Sequence, residues 1–337
     1  MKLLPFSKKT TLGLDIGSYS IKAIQLAKED SSRYRVVSLR VTEIEKESEN
    51  PHEAIITAIK NSLEGVNPKK TRLVTSLGGS SVLIKQVTFP SSSPKEIESS
   101  LKWEAPQYIP LPLDKIELKF QIRRVNEDGK SSEVLLVAVD KGALQRQLEF
   151  LKSAGVEPQI IDVNPLALAN AFLTFSSKDE DKNVAMIDIG ASSTIITIFR
   201  KGGFFFSRDI SIGGDRFTRE IQKTYRLEYL QAERFKKKEE VDLNLIKTVL
   251  DQLLLEIRQS LLFFDTRTGH QGYEEIIITG GGARLPGLIS YLEKNLNLPI
   301  ISFNPLSNLK MDFNLSEDEV EKIETQVGVA MGLALRE

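Results

Sequence analysis

Two stretches of this chain build the same turn. "LGLDIGSYSIKAIQL" lies near the start and "AMIDIGASSTIITIF" lies past the middle. In each, a strand ends in Asp-Ile-Gly, passes through small residues and returns as a β-branched strand. Asp15 aligns with Asp188, Ile16 with Ile189, Gly17 with Gly190 and Ser20 with Ser193. A repeated supersecondary unit constrains a fold more than any single motif, because each copy needs the same neighbours to bury it. The repeat predicts two similar lobes, each opening with a hairpin, facing each other across a cleft.

Both turns suit one chemistry. A tight turn of glycine and small residues leaves successive backbone N–H groups bare, which makes a cradle for an anion. Gly17 permits the close turn and Ser18 and Ser20 add hydroxyl donors, with Tyr19 and Lys22 completing the first candidate set. Gly190, Ala191, Ser192 and Ser193 form the second. Asp15 and Asp188, at the strand ends, put negative charge where Mg²⁺ and its waters can neutralise phosphates. Two such turns can hold a polyphosphate from opposite sides. A third element, "IIITGGGARLPGL", sets Gly280, Gly281 and Gly282 between a buried strand and a helix, bare backbone suited to a ribose, an α-phosphate or a base. It is neither G-x-G-x-x-G nor a P-loop. The alternative is a plain strand-to-helix turn.

Composition removes other classes. The 337 residues are enough for about two domains, and 41% hydrophobic with 27% charged residues reads as an ordinary globular chain. A net charge of −1 implies no nucleic-acid footprint. With no cysteine, thiolate nucleophiles and thiolate metal sites are absent, and His52 and His270 lack any metal-ligand spacing. Charged residues break every apolar run short of a membrane span, and "MKLLPFSKK" is too short in its apolar core for a signal peptide. A cytoplasmic chain is expected, any membrane link coming through a partner.

Strand and helix periodicities divide the chain. Residues 10–81 and 158–183 are expected to form a first-lobe core, with 82–157 as an inserted strand–helix–strand–strand–helix subdomain. Residues 184–212 and 272–337 are expected to form the second-lobe core, with 213–271 as a mostly helical, highly charged subdomain. "EDEVEKIETQVGVAMGLALRE" reads as one helix, rich in small residues at its end. In "LKWEAPQYIP", Trp103, Tyr108 and Ile109 stand beside prolines, a composition common in peptide grooves. The alternative is the core of a small subdomain.

Together, "LGLDIGSYSIKAIQL", "MIDIGASSTIITIF", "GGDRFTREI", "IIITGGGARLPGL" and "VGVAMGLAL", in this order, resemble the first phosphate, second phosphate, connecting, adenosine and second connecting segments of the actin-like ATPase superfamily. The resemblance implies an α/β, ribonuclease H-like, duplicated two-lobe fold that binds ATP with Mg²⁺. Within the superfamily the chain resembles the PilM family of type IV pilus assembly proteins, and beyond it the cell-division protein FtsA; "LKWEAPQYIPLPLD" and "EVLLVAVDKGALQRQLEFLKSAGVEPQIIDVNPLALANAF" resemble the small inserted subdomain those two share. FtsA continues into a membrane-targeting helix, so the end after "VGVAMGLALRE" favours the pilus family. The resemblance assigns Asp15 and Asp188 to positioning Mg²⁺, and Gly213 and Gly214 to the connecting segment.

The same resemblance places Glu233, Lys236 and Lys237 near the ribose and base, and Arg284 on the adenine face. For Glu233 and Lys236 the alternative is an i,i+3 ion pair on a solvated helix. Where chaperone relatives carry a water-ordering glutamate, this chain has Asn164, whose amide can orient water but cannot act as a general base. Tight nucleotide binding with slow or negligible turnover is therefore expected. The implied partner is the N-terminal cytoplasmic peptide of the inner-membrane protein PilN, with further links to the pilus assembly and retraction ATPases. That would make the chain a cytoplasmic scaffold peripheral to the inner membrane. An FtsA-like filament protein and a small-molecule kinase are the alternatives.

Overall fold

The computed structural model describes residues 10–30, 33–67, 70–127, 129–176, 182–237, 241–269, 272–307 and 309–336. Outside them lie the opening "MKLLPFSKK", Ser31 and Ser32 of the expected turn, Asp128 of the hairpin, most of the polar linker at 176–183, positions 238–240 of the charged run, and His270.

The first lobe opens with a meander of β1 (Thr10–Ile16), β2 (Ser20–Lys28) and β3 (Tyr34–Glu43). Leu12, Leu14, Ile21, Ile24 and Leu26 are all buried, because both faces of this sheet are covered. Asn50 caps helix α1 (Pro51–Ser62) by accepting from the Glu53 N–H at 3.3 Å, and Pro51 takes a position whose N–H would have no helical partner. Strand β4 (Thr71–Leu77) then runs parallel to β1.

The inserted unit follows as β5 (Val82–Phe89), α2 (Pro94–Glu104), β6 (Ile116–Val125), β7 (Ser132–Asp140) and α3 (Lys141–Ser153). Its three strands form their own antiparallel sheet around Phe89, Ile97, Leu101, Ile109 and Val134. The chain returns through β8 (Ile160–Val163), parallel to β4, into α4 (Asn164–Phe175).

The second lobe repeats the plan. Strands β9 (Val184–Ile189), β10 (Thr194–Arg200) and β11 (Gly203–Ile210) form the meander. Helices α5 (Gly214–Tyr225), α6 (Tyr229–Lys236) and α7 (Lys247–Thr268) follow, then β12 (Glu275–Thr279), α8 (Leu288–Leu296) and β13 (Ile300–Ser302). The strand order is β3-β2-β1-β4-β8 in the first lobe and β11-β10-β9-β12-β13 in the second. In each, three antiparallel strands precede two parallel ones. The duplication seen in two turns thus extends to both sheets, and this is the expected actin-like, ribonuclease H-like α/β architecture.

The end of the chain departs from expectation in two ways. Segment 272–337 does not stay with the second lobe: β14 (Lys310–Met311) pairs in parallel with β3, on the edge of the first sheet. The expected single terminal helix is also broken into α9 (Glu317–Ile323), a 3-10 turn and α10 (Gly328–Ala334). The break has a local cause. The Thr325 carbonyl accepts from the Gly280 N–H at 2.6 Å and from the Thr279 hydroxyl at 2.8 Å, so the end of β12 withdraws it from a helical ladder.

Helices α4 and α10 pack together between the sheets. Their core joins Val74 and Ile24 of the first lobe to Met186, Phe199 and Ile277 of the second through Ala167, Leu168, Ala330 and Met331. A Cβ on Gly332 would lie 1.7 Å from the Ala167 carbonyl oxygen, so the two helices meet backbone to backbone. The small residues noted at the end of the sequence are what this crossing requires.

Candidate functional site

The two Asp-Ile-Gly turns are built alike. The Gly17 N–H donates to the Ser20 carbonyl at 3.2 Å, and the Gly190 N–H to the Ser193 carbonyl at 2.9 Å. A Cβ would sit 2.8 Å from the Ser20 carbonyl oxygen at Gly17 and 2.9 Å from the Ser193 carbonyl oxygen at Gly190, so each turn closes only around glycine. They line one cavity of about 1040 Å³ between the lobes. Of the residues expected to bind a cofactor or metal, Asp15, Gly17, Ser18, Tyr19, Ser20 and Lys22 line its first-lobe wall. Asp188, Gly190, Ala191, Ser192, Ser193 and Gly214 line the second-lobe wall, and Glu233, Lys236, Lys237, Gly280, Gly281, Gly282 and Arg284 also line the cavity. Asn164 lies in the floor. Gly213 sits behind the second turn, where its Cβ would meet the Ala191 carbonyl oxygen at 2.6 Å. The N–H groups of Gly214 and Asp215 donate to the carbonyls of Gly190 and Ala191, so this connecting segment braces the turn.

Charge is unevenly shared between the two turns. In the first, Asp15 stands opposite Lys22 across β1 and β2, and the side chains pair at 3.2 Å. In the second, Asp188 stands opposite Ile195 and has no such cation. Burial, and then the charge of Asp15, push the Asp188 carboxyl up to about 7, with Lys22 opposing. Asp209, on β11 across from Ile195, is pushed up to about 6 by burial, and the Ser193 hydroxyl, 3.4 Å away, pulls the other way. The surroundings of the two turns therefore combine bare amides and one ammonium with two carboxylates, Asp188 and Asp209, that are short of countercharge.

The sign of the Asp188 shift fixes a pH dependence. The folded protein holds this proton more tightly than the unfolded chain, so the stability it contributes is full below about pH 4 and lost as pH rises through about 7. Asp188→Asn removes the effect. Without ligand, the variant should equal wild type near pH 4 and exceed it by roughly 1–3 kcal/mol at pH 8. Chemical unfolding across that range checks this, and parallel curves would refute it.

Glu233 and Lys236 form a buried pair rather than a solvated one. Glu233 is 4% exposed and accepts from both the Thr218 hydroxyl and the Lys236 ammonium. Lys236 also donates to Thr218 at 2.7 Å and to the Gly214 carbonyl at 3.2 Å, and burial lowers its pKa against the raising charge of Glu233. Helix α6 is thereby fixed to α5 beside the second turn. Lys237 reaches across the cleft: its ammonium lies 3.4 Å from the Tyr19 hydroxyl and 3.7 Å from Glu43.

In the floor, the Ser76 hydroxyl donates to Asn164 Oδ1 at 2.7 Å. That leaves the Asn164 amide nitrogen facing Gly78, whose Cβ would lie 2.3 Å from it. Asp162 is turned away and held by Arg336 at 2.6 Å. The Arg284 guanidinium donates to the Lys322 carbonyl at 2.6 Å. The peptide-groove candidates separate. Ile109 is 2% exposed in the core of the inserted unit and offers no surface, a correction that follows from its packing with Ile97 and Ala105. Tyr108 is half-buried against the same core, and Trp103 is 82% exposed.

Sequence reasoning missed several cavity residues. Gln147 of α3 donates to Thr75 Oγ1 at 3.0 Å and to the Ser76 carbonyl at 2.8 Å, tying the inserted unit to the floor. Gly78 and Gly79 follow β4, and Gln326 precedes α10. The missed signal in the first case was "GG" directly after a strand, the same one read at Gly280.

Comparison with known proteins gives a consistent picture. The family of type IV pilus assembly proteins PilM matches residues 13–337. A solved chain described as "PilM-PilN type IV pilus biogenesis complex" is 27% identical, with a TM-score of 0.86 over 97% of this chain and 98% of that one. The ethanolamine utilization protein EutJ from Carboxydothermus hydrogenoformans, 15% identical with a TM-score of 0.55 over 99% of this chain and 91% of that one, shares the fold. Cell division protein FtsA of Bacillus subtilis is 28% identical over 188 residues, 47% of this chain and only 41% of that relative's length. FtsA of Borreliella burgdorferi is 21% identical over 390 positions, 98% of this chain and 91% of that one. Among the described residues no helix is long and apolar enough to cross a membrane. With the match running over nearly its whole length, the chain belongs to the PilM family of type IV pilus assembly proteins.

Proposed function

We propose that this protein is an ATP-binding scaffold of the type IV pilus inner-membrane assembly platform. Its partner is the N-terminal cytoplasmic peptide of PilN, through which it is held at the inner membrane and linked to the assembly machinery. The observation that carries the nucleotide part is the single cavity lined by both Asp-Ile-Gly turns. A polyphosphate held there touches both lobes, so binding fixes the angle between them. When bound, Mg²⁺ would supply the positive charge that Asp188 lacks, while Lys22, already paired with Asp15, would neutralise part of the phosphate. Asn164 can orient a water but not deprotonate it, so turnover is slow and the nucleotide acts mainly as a structural ligand. Membership of the family favours this reading over an FtsA-like filament.

The partner surface is proposed on the inserted unit, with Trp103 as its anchor. An 82% exposed tryptophan is costly to leave in water and contributes little to the core beneath it. Gln147 ties this unit to the cleft floor, which gives the bound nucleotide a route to the peptide surface. Fluorescence anisotropy with a labelled synthetic peptide of the cognate PilN N-terminus tests it. Binding is expected, weakened when Mg²⁺ and nucleotide are stripped. Trp103→Ala should lower peptide affinity by about 10-fold or more while changing stability by no more than about 0.5 kcal/mol. No peptide binding under either condition would overturn the scaffold reading, and unchanged affinity in Trp103→Ala would overturn the anchor.

A further inference from the structure

The cavity lining holds an oriented amide that none of the recognised motifs includes. Gln326 lies in the 3-10 turn between α9 and α10, half-buried. Its Nε2 donates to the Lys322 carbonyl, the same oxygen that accepts from Arg284 at 2.6 Å. A carbonyl can only accept, so the amide nitrogen must face Lys322 whichever way the two amide atoms are assigned. The amide oxygen then points the other way. It stands over Gly281, where a Cβ would lie 3.6 Å from Gln326 Oε1, and no donor among the described residues reaches it. Bare glycine backbone and a fixed acceptor thus lie side by side in the lining of the cavity that also contains Arg284.

We propose that Gln326 sets the base specificity of this site, its Oε1 accepting from the exocyclic amine of adenine. The inference rests on the nucleotide reading above and adds to it the group that reads the base. Adenine presents an amine donor at its six position, whereas hypoxanthine and guanine present an oxygen there. Facing Oε1, that oxygen sets acceptor against acceptor and leaves both without a partner, which is where discrimination between otherwise similar ligands comes from. Rotating the amide to donate instead would place Oε1 against the Lys322 carbonyl, so Gln326 cannot adapt to the other base without losing its own bond. Partial exposure lets water soften the penalty, and the expected preference is therefore about 10- to 100-fold rather than the largest values such sites reach.

Calorimetric titration of the full chain with Mg–ATP and Mg–ITP tests this, since the two nucleotides differ only at that base edge. Wild type should bind ATP at least about 10-fold more tightly. Gln326→Leu, with folding verified by thermal melt, should weaken ATP by about the same factor and leave ITP within about threefold, so that the preference collapses. Equal wild-type affinities would overturn the assignment, as would a Gln326→Leu variant that keeps the preference. Failure of wild type to bind either nucleotide at millimolar concentration would instead sink the nucleotide reading itself, so the two failures are distinguishable.

Discussion

Gly332→Ala should lower the stability of this protein by more than about 3 kcal/mol and leave little soluble material at 37 °C. The added methyl would fall 1.7 Å from the carbonyl oxygen and 2.4 Å from the carbonyl carbon of Ala167, both backbone atoms of a helix that cannot give locally. Relief requires α10 to move off α4. But α10 is also pressed onto β1, where a Cβ at Gly13 would lie 2.0 Å from the Ala330 carbonyl oxygen, so the helix has no room to retreat. Because the core around these helices contains residues of both lobes, the damage is to the joint and not to one lobe alone. Urea unfolding measures it. Ala167→Gly should not rescue the variant, since the clash is with main chain. Near-wild-type stability of Gly332→Ala would show that the helices do not meet as described.

Lys22→Ala should weaken Mg–ATP binding by about 100-fold or more. Lys22 is the ammonium paired with Asp15, and its Nζ lies 2.9 Å from where a Gly17 Cβ would be, beside the first turn. Removing it does two things with the same sign. It takes a positive charge from the phosphate end, and it leaves the Asp15 carboxylate uncompensated to repel the ligand. Truncating one partner of a buried charge pair costs about 2–5 kcal/mol, which at about 1.4 kcal/mol per decade gives the expected loss. The ligand-induced rise in melting temperature should vanish with it at moderate nucleotide concentration. Lys22→Arg should recover part of the affinity, because it restores charge without restoring the compact ammonium. A variant that binds as wild type would place the polyphosphate elsewhere.

The paired turns were legible because their information is local. Aspartate at a strand end, glycine at the turn and β-branched residues beyond recur in one short window, and the second copy rules out chance. Gln326 and Gln147 were not legible for the opposite reason. Each is an ordinary polar residue on a helical or 3-10 segment, and what makes it matter lies far along the chain: for Gln326, Gly281 against its amide and Arg284, which shares the Lys322 carbonyl, and for Gln147, Thr75 and Ser76. Asp209 is similar, since its place beside the second turn depends on the cross-strand register that sets it against Ile195.

The terminal break at Thr325 was hidden because helix-forming residues continue on both sides, and the competing hydrogen bonds come from Thr279 and Gly280. Ile109 was misplaced because an apolar residue between prolines suits a groove and a core equally well. Only the packing of α2 against the inserted sheet decides. The Glu233–Lys236 spacing likewise carried no information on burial, and Thr218, which completes that cluster, lies on another helix.

Amide hydrogen exchange during titration with Mg–ATP addresses most directly whether both lobes grip one polyphosphate. Protection should develop at residues 17–20 and at residues 190–193 together, with the same dependence on nucleotide concentration, because one ligand occupies both turns. Protection confined to a single turn, or appearing at the two turns with different concentration dependences, would mean that the lobes do not share a ligand.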